Sequence, residues 1–265
     1  MAHDADLAMQ QLIERAVRLL CEARHAVALT GAGISTPSGI PDFRSANVGL
    51  WETSDPMEVA SIYAFREDPG RFYRWLRPLA QLMRDARPNA AHFALARLEH
   101  AGIIRSVISQ NIDGLHQKAG SMRVAEVHGH LREAVCLNCY RILPSESYLT
   151  RYIADGETPL CPACGGVLKP NATLFGEALP AQALGTAIAA ARQCDVMLVA
   201  GSSLEVAPAA DLPCLALERR ARLIIINLGE TYLDDRADVL IRGDVADALP
   251  RIAGAIEAQS ASTPG

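Results

Sequence analysis

Four of the seven cysteines fall into two C-x-x-C pairs, a spacing that is typical of metal sites. The pairs are Cys136-x-x-Cys139 and Cys161-x-x-Cys164, and 21 residues separate them. Four thiolates favour tetrahedral zinc and fill its coordination sphere, so no position is left for a reactive water. We therefore expect a structural zinc ion that holds a small module together. The alternative, four unligated thiols, leaves the repeated spacing unexplained.

A glycine turn with an aromatic and an arginine downstream could bind a nucleotide. Gly31-Ala32-Gly33 follows an apolar run, and the glycines would let backbone N–H groups approach a diphosphate closely. The G-x-G-x-x-G spacing is incomplete, so a plain turn is the alternative. Phe43 and Arg44 add an aromatic plane and a cation that can pair with phosphate. The combination favours a phosphate-bearing ligand.

Amides, a carboxylate and a histidine follow in the middle of the chain. Gln110-Asn111-Ile112-Asp113 suits ribose hydroxyls, a carboxamide or an ordered water, although a polar turn that caps a helix is the alternative. His128 precedes a glycine and could transfer protons near neutral pH, although any single histidine can be structural. The histidines that we interpret as surface or packing residues are His92, His100, His116 and His130.

Two further polar segments resemble nucleotide contacts, and one segment resembles a peptide-binding edge. Gly201-Ser202-Ser203 and Asn227, with Glu230 close behind, offer hydroxyls and amides to a phosphate and a ribose, or else form plain turns. Residues 168–177 could supply an extended edge to which a peptide adds as a strand.

The elements that must position these groups are short buried strands that alternate with helices. Helical periodicity covers residues 9–20 and 88–101. The predicted strands are residues 25–30, 103–108, 196–200 and 223–226. Such alternation predicts a mostly parallel sheet covered on both faces, with ligands beyond the carboxyl ends of its strands. Residues 45–87 and 131–168 interrupt the alternation as inserts.

The length, net charge and apolar runs of the chain argue against some classes of function. At 265 residues with a net charge of −5, the protein can bury a large core but has no basic stripe for duplex DNA. The start of the chain has no secretory signal, and no apolar run reaches the length of a membrane span. We expect a cytoplasmic protein that binds neither membrane nor nucleic acid.

Taken together and in this order, the motifs resemble those of sirtuins, the NAD-dependent protein lysine deacylases. The matching segments are GAGIS, GIPDFR, QNID, the His-Gly pair at 128–129, both cysteine pairs, FGE, GSS and NLGE. The resemblance extends over roughly residues 10–255 and is closest to bacterial deacetylase-type members, although each motif alone is weak.

The resemblance implies an α/β fold, in which a Rossmann-like parallel-sheet domain carries a smaller inserted zinc-ribbon and helical domain. The Rossmann-like domain would comprise residues 1–44, 88–130 and 169–258. A helical insert and cofactor-loop lid at 45–87 and a zinc-binding module at 131–168 would form the small domain. Residues 259–265 would be a tail.

The resemblance also implies roles for individual residues, with NAD as co-substrate and structural Zn²⁺ on the four cysteines. The catalytic residues would be His128, as general base, together with Asn111 and Asp113. The cofactor-binding residues would be Gly31, Ala32, Gly33, Ser35, Thr36, Asp42, Phe43, Arg44, Gln110, Asn111, Ile112, Asp113, Gly201, Ser202, Ser203, Asn227, Leu228, Gly229, Glu230, Asp244 and Val245. The substrate-binding residues would be Phe175, Gly176, Glu177 and Val206.

The implied activity is removal of acetyl groups from lysines of a protein or peptide, which yields nicotinamide, free lysine and acetyl-ADP-ribose, by a monomer. The alternatives are a protein mono-ADP-ribosyltransferase, a deacylase for longer or acidic acyl groups, and a non-catalytic NAD sensor. Desuccinylase-type sirtuins carry a Tyr-x-x-Arg pair that holds an acidic acyl chain. Leu76 and Leu79 stand at the matching positions here, whereas Tyr63 and Arg66 have the right spacing but lie too early.

Overall fold

The computed structural model describes residues 2–42 and 55–262, so the predicted Phe43 and Arg44 lie outside the described residues. The helices are α1 (Ala2–Glu22), α2 (Pro56–Val59), α3 (Ile62–Glu67), α4 (Pro69–Asp85), α5 (Ala90–His100), α6 (Leu115–Lys118), α7 (Glu146–Asp155), α8 (Ala181–Gln193), α9 (Leu212–Glu218) and α10 (Val245–Ser262). The strands are β1 (Ala26–Thr30), β2 (Ile104–Ser109), β3 (Val124–Glu126), β4 (Gly129–Cys136), β5 (Ile142–Pro144), β6 (Leu168–Ala172), β7 (Val196–Ala200), β8 (Arg222–Asn227) and β9 (Val239–Arg242).

The large sheet has six parallel strands in the order β3-β2-β1-β7-β8-β9. Alternate residues of β1 enter two different cores, with Ala28 packed on one face of the sheet and Val27 and Leu29 on the other. The predicted parallel sheet with helices on both faces is thereby confirmed. The sequence-based prediction had not delimited β3 and β9, because strands of three and four residues are too short to show a periodicity.

The strand order reverses at β1, which has β2 on one side and β7 on the other. In parallel sheets the loops on either side of such a point diverge and leave a crevice beyond the carboxyl ends of the strands. The strands β1, β2, β7 and β8 therefore deliver Gly31, Gln110, Gly201 and the last β8 residue, Asn227, to one edge of the sheet.

The small sheet is antiparallel, with the order β5-β4-β6, and it carries the cysteine pairs. Its strands extend past the predicted limits of 131–168, because β4 already pairs at Gly129 with Ala172 of β6. A cysteine knuckle needs a paired strand on each side to fix it, and Cys136 pairs in register with Leu168. At the carboxyl end of the chain, α10 remains helical through Ser262, so the tail expected from residue 259 does not begin there.

An aromatic core joins α4 to α3 on one side and to α7 on the other. The ring centroids of Phe65 and Phe72 are 4.9 Å apart, as are those of Tyr73 and Tyr152, and both pairs meet edge to face. The Tyr73 hydroxyl donates a hydrogen bond of 2.5 Å to the carbonyl of Leu168 on β6. The helical insert is therefore joined to the small sheet. Among residues 2–42 and 55–262, no helix has the length and apolar character to span a bilayer.

Two of the histidines interpreted as surface or packing residues form a buried pair. The rings of His92 and His116 meet edge to face with centroids 5.0 Å apart, and His116 Nε2 lies 2.9 Å from Thr30 Oγ1 at the end of β1. Burial lowers the pKa of His92 from 6.5 to about 4 and, with repulsion from His92, that of His116 from 6.5 to about 3.

We expect this pair to make folding stability sensitive to acid. Unfolded histidines bind protons below pH 6.5, whereas the folded pair stays neutral until pH 3–4, so stability is complete above pH 6.5 and declines below it. Below pH 6.5, each histidine adds about 1.4 kcal/mol per pH unit to the slope of the unfolding free energy against pH. Urea unfolding at pH 7, 6 and 5 measures the unfolding free energy at each pH. This free energy should fall less steeply with decreasing pH for His116→Asn than for the wild type. The same pH dependence in both proteins would contradict a contribution of the histidine pair to acid sensitivity.

Candidate active site

A cavity of about 560 Å³ opens beyond the carboxyl ends of the large sheet and reaches the small sheet and the helical insert. Every described residue that was predicted to bind cofactor or substrate lines it, as do Asn111, Asp113 and His128. The sequence-based assignments therefore converge on one space. Whether each residue contacts the ligand assigned to it remains a prediction.

The floor of the cavity is formed by two glycine turns that touch each other. The Gly31 and Gly33 amides donate to the carbonyls of Ala200 and Gly201 at 3.3 and 2.8 Å. A Cβ on Gly31 would lie 2.8 Å from the Gly201 carbonyl oxygen, and one on Gly201, where φ is +63°, would lie 2.3 Å from the Ile34 nitrogen. Only glycine fits this approach, so the two turns form a glycine cradle that a ligand can approach closely, although the amides of Gly31, Gly33 and Gly201 are already paired within the protein.

Asn111 and Asp113 are joined to the glycine turn through Ser35. Asn111 Nδ2 donates to the Gly31 carbonyl at 3.1 Å and to Ser35 Oγ at 3.0 Å, and Ser35 Oγ donates to Asp113 Oδ2 at 2.7 Å. Burial raises the pKa of Asp113, while hydrogen bonds from the Leu115 amide and from Ser35 oppose the rise. This network fixes the carboxylate beside the cradle.

His128 lines the cavity, and one backbone contact fixes the tautomer of its ring. Its Nδ1 lies 2.7 Å from the Gln110 carbonyl oxygen, which can only accept, so Nδ1 carries the proton. Its Nε2 is buried and has no hydrogen-bond partner among the described residues. Burial lowers the pKa of His128, and the bond to Gln110 only partly offsets this. The imidazole is therefore neutral at physiological pH, with the Nε2 lone pair available to take a proton.

One wall of the cavity is apolar and comes from α4. Leu76 and Leu79 line it as expected, and they are joined by Phe72, Trp75 and Met83, which sequence reasoning missed. Their spacing of three and four residues along one helix was the signal that could have found them. Tyr63 and Arg66 are exposed on α3 and do not line this wall.

The segment 173–177 forms the mouth of the cavity. The Phe175 amide donates to the Ala60 carbonyl at 3.0 Å, and the Phe175 carbonyl accepts from the Ile62 amide at 2.9 Å. The backbone edge suggested for strand addition is thus already paired at Phe175. Gly176 has φ of +86°, and the ring of Tyr63 lies where its Cβ would be, at 2.8 Å. Any added strand must use other backbone groups of this mouth.

At the far end of the cavity, the loop 227–230 is held by short polar contacts. Asn227 Nδ2 donates to the Gly229 carbonyl at 2.9 Å, and the guanidinium of Arg242 donates to the same carbonyl. Arg242 also pairs with Asp234. Sequence reasoning missed Arg242, because its partners are brought to it only by the pairing of β8 with β9.

The four predicted cysteines come together at the tip of the small sheet. Their sulfurs all lie within 4.8 Å of one another, with Cys136 and Cys164 at 3.5 Å and Cys139 and Cys161 at 3.8 Å. These separations are too long for disulfides but match tetrahedral zinc, whose bonds of about 2.3 Å place sulfurs about 3.8 Å apart. The amides of Asn138 and Cys139 point at Cys136 Sγ, as suits a thiolate. The donor set fits structural zinc.

Comparisons with known proteins agree with this arrangement. The profile of the Sir2 family matches residues 31–208. An NAD-dependent protein deacetylase of Sulfurisphaera tokodaii is 45% identical over 242 residues, which cover 91% of this chain and 95% of that protein. An NAD-dependent protein deacetylase of Caldivirga maquilingensis is 47% identical over 235 residues, which cover 89% and 90% of the two chains.

A solved complex of a Sir2 protein with a p53 peptide and NAD⁺ is similar throughout. Its TM-score is 0.83 at 41% identity, and the match covers 94% of this chain and 99% of that one. The family profile and the identity to these relatives extend over most of the chain, and the chain belongs to the Sir2 family.

Proposed function

We propose that the protein is an NAD-dependent protein lysine deacetylase. The observation that carries the proposal is the neutral His128, whose unpartnered Nε2 shares one cavity with a glycine cradle and an apolar wall. Relatives of this chain bear the name NAD-dependent protein deacetylase at 45% and 47% identity. A base, a phosphate cradle and an apolar slot are the parts that this reaction needs.

The residues at the sheet edge would hold NAD. Gly31, Gly33 and Gly201 would let the diphosphate approach the two turns closely, and Ser202 and Asn227 would offer polar groups to the adenosine half. Gln110 to Asp113 would bind the ribose and carboxamide of the nicotinamide half, with Phe43 and Arg44 as further contacts. Bound NAD supplies an electron-poor ribose carbon with nicotinamide as its leaving group.

His128 would act as the general base on the ribose hydroxyls. The Gln110 carbonyl holds the Nδ1 proton, so Nε2 is the nitrogen that accepts. Because the imidazole starts out neutral, no proton has to be lost before it acts. The acetyl group would pass from lysine to ADP-ribose with one water consumed to free the lysine amine, so the products would be nicotinamide, deacetylated lysine and O-acetyl-ADP-ribose. Phe175, Gly176, Glu177 and Val206 would bind the peptide.

The proposal keeps the domain division expected from the sequence, with the strand limits of the small sheet adjusted to Gly129 and Ala172. We also propose that the enzyme is a monomer and is located in the cytoplasm. Seven cysteines without a disulfide among the described residues support a reducing compartment.

The test is nicotinamide release that depends on an acetyl-lysine peptide. Wild-type protein with NAD and the peptide should form nicotinamide and deacetylated peptide in equal amounts. Neither product should form when NAD or the acetyl-lysine peptide is omitted. Transfer of ADP-ribose to protein with the acetyl group retained would instead show an ADP-ribosyltransferase. NAD binding without any turnover would show a sensor.

We expect the apolar wall to select the acyl group. Acetyl- and propionyl-lysine peptides should react more than about tenfold faster than a succinyl-lysine peptide, because the described side chains of the wall around Leu76 and Leu79 carry no cation to pair with a carboxylate. Steady-state rates on a matched peptide series measure the ratio. Leu79→Arg should shift it toward succinyl. A wild-type preference for succinyl would contradict the assignment of this wall.

A further inference from the structure

A buried ion pair lies directly behind the mouth of the cavity. Lys169 Nζ is 3.0 Å from Glu177 Oε2, and the two side chains are only 9% and 25% exposed. The ammonium also donates to the carbonyls of Ala172 at 2.8 Å and Pro170 at 3.0 Å. All three of its N–H groups are therefore used, and all of them bind the segment that leads from β6 into the mouth.

Glu177 closes the other end of the same segment. Its Oε2 accepts from the Leu174 amide at 2.8 Å, and the Glu177 amide donates back to the Leu174 carbonyl at 3.0 Å. The Thr173 amide donates to the His128 carbonyl at 2.8 Å. A short chain of bonds thus runs from Lys169 through the mouth to the backbone of His128.

Burying this ion pair carries a desolvation cost that apolar side chains would not have. Burial lowers the pKa of Lys169, and Glu177 only partly offsets this. Apolar residues of similar volume often stabilise a fold as well as a buried pair does, whereas loss of one partner leaves an unpaired charge. Apolar residues could not form the three directional hydrogen bonds, to two carbonyls and one carboxylate, that fix the backbone path of residues 170–177.

We propose that Lys169 and Glu177 form a positioning pair, which holds residues 173–177 in the conformation that receives the acyl-lysine peptide. Lys169 itself does not line the cavity, so it acts through the loop. Glu177 then works chiefly through Lys169 and the Leu174 amide. This inference rests on the proposed function, and it adds a residue that the sequence did not point to.

The test compares Lys169→Met, Lys169→Arg and Glu177→Gln with the exposed control Arg151→Met, which removes two surface ion pairs of the same small domain. For Lys169→Met and Glu177→Gln we expect the KM for acetyl-peptide to rise about 10- to 100-fold, with kcat changed much less. The NAD Kd, from calorimetry, should stay within about twofold. Lys169→Arg should retain most of the wild-type KM, and Arg151→Met all of it.

Hydrogen exchange provides a readout that does not depend on activity. The amides of Leu174 and Phe175 should exchange faster in Lys169→Met, while those of β7 keep their protection. Unchanged protection at 174–175, or equal losses in kcat and NAD affinity, would overturn the positioning role. If wild-type protein removes no acetyl group, the proposed function fails, whereas the exchange data still decide whether the pair holds the loop.

Discussion

Replacing His128 with alanine is expected to reduce deacetylation by about 10²- to 10⁴-fold, the range that loss of a general base produces. His128 lines the cavity, its Nε2 is buried with no hydrogen-bond partner among the described residues, and burial lowers the pKa of the ring. Alanine can neither take a proton nor orient a ribose hydroxyl. Deacetylated peptide formed under saturating NAD, quantified by mass spectrometry, measures the loss.

The matched control for this experiment is His100→Ala. His100 lies at the end of α5, where its Nδ1 bonds the Ala96 carbonyl at 2.7 Å, and it does not line the cavity. Its removal should leave the rate within about twofold. A His128→Ala enzyme that works at near wild-type rate would show that another group takes the proton, and the mechanism proposed above would be wrong.

Removing zinc is expected to unfold the small module and abolish deacetylation. Among the described residues, the hydrophobic cluster around the cysteines has four buried members, Ala134, Cys136, Cys161 and Leu168, so the cysteine end of the module has little apolar packing of its own. Structural zinc contributes about 10–16 kcal/mol of binding free energy in small domains. Chelation should release about one zinc per chain and expose the cysteine segments 136–141 and 161–167 to hydrogen exchange, while the large sheet keeps its protection.

Activity should be lost along with the module, because the mouth of the cavity continues from β6. Cys161→Ser should reproduce the loss, whereas Cys214→Ser, which alters a thiol bonded only to Tyr232 and far from the cluster, should not. Readdition of Zn²⁺ should restore both exchange protection and rate. Zinc-free protein that retains full activity and an unchanged exchange pattern would contradict a structural role for the metal.

Local patterns sufficed to predict the parts of the fold that depend on short segments. The strand at 196–200 is continuous and apolar and matches β7 residue for residue. The cysteine spacing predicted a cluster whose sulfurs do converge. The glycines at 31, 33 and 201 could be placed at a ligand site, because the need for close backbone approach is a property of single residues.

Features that depend on long-range contacts were not visible in the sequence. His116 meets Thr30 across 86 positions, and nothing in its neighbourhood distinguishes it from a surface histidine. Lys169 reads as an ordinary exposed lysine until β6 and the following turn bury it against Glu177. Tertiary packing, not local propensity, decides such cases.

Nitrogen-15 NMR of histidine-labelled protein tests the central claim most directly. The account predicts that the His128 imidazole, assigned by its absence from the His128→Ala spectrum, carries its proton on Nδ1 at pH 7. It also predicts that Nε2 is unprotonated and that the ring titrates below pH 6.5. A ring that is doubly protonated at pH 7, or one that carries its proton on Nε2, would have no lone pair to offer the ribose and would contradict the account.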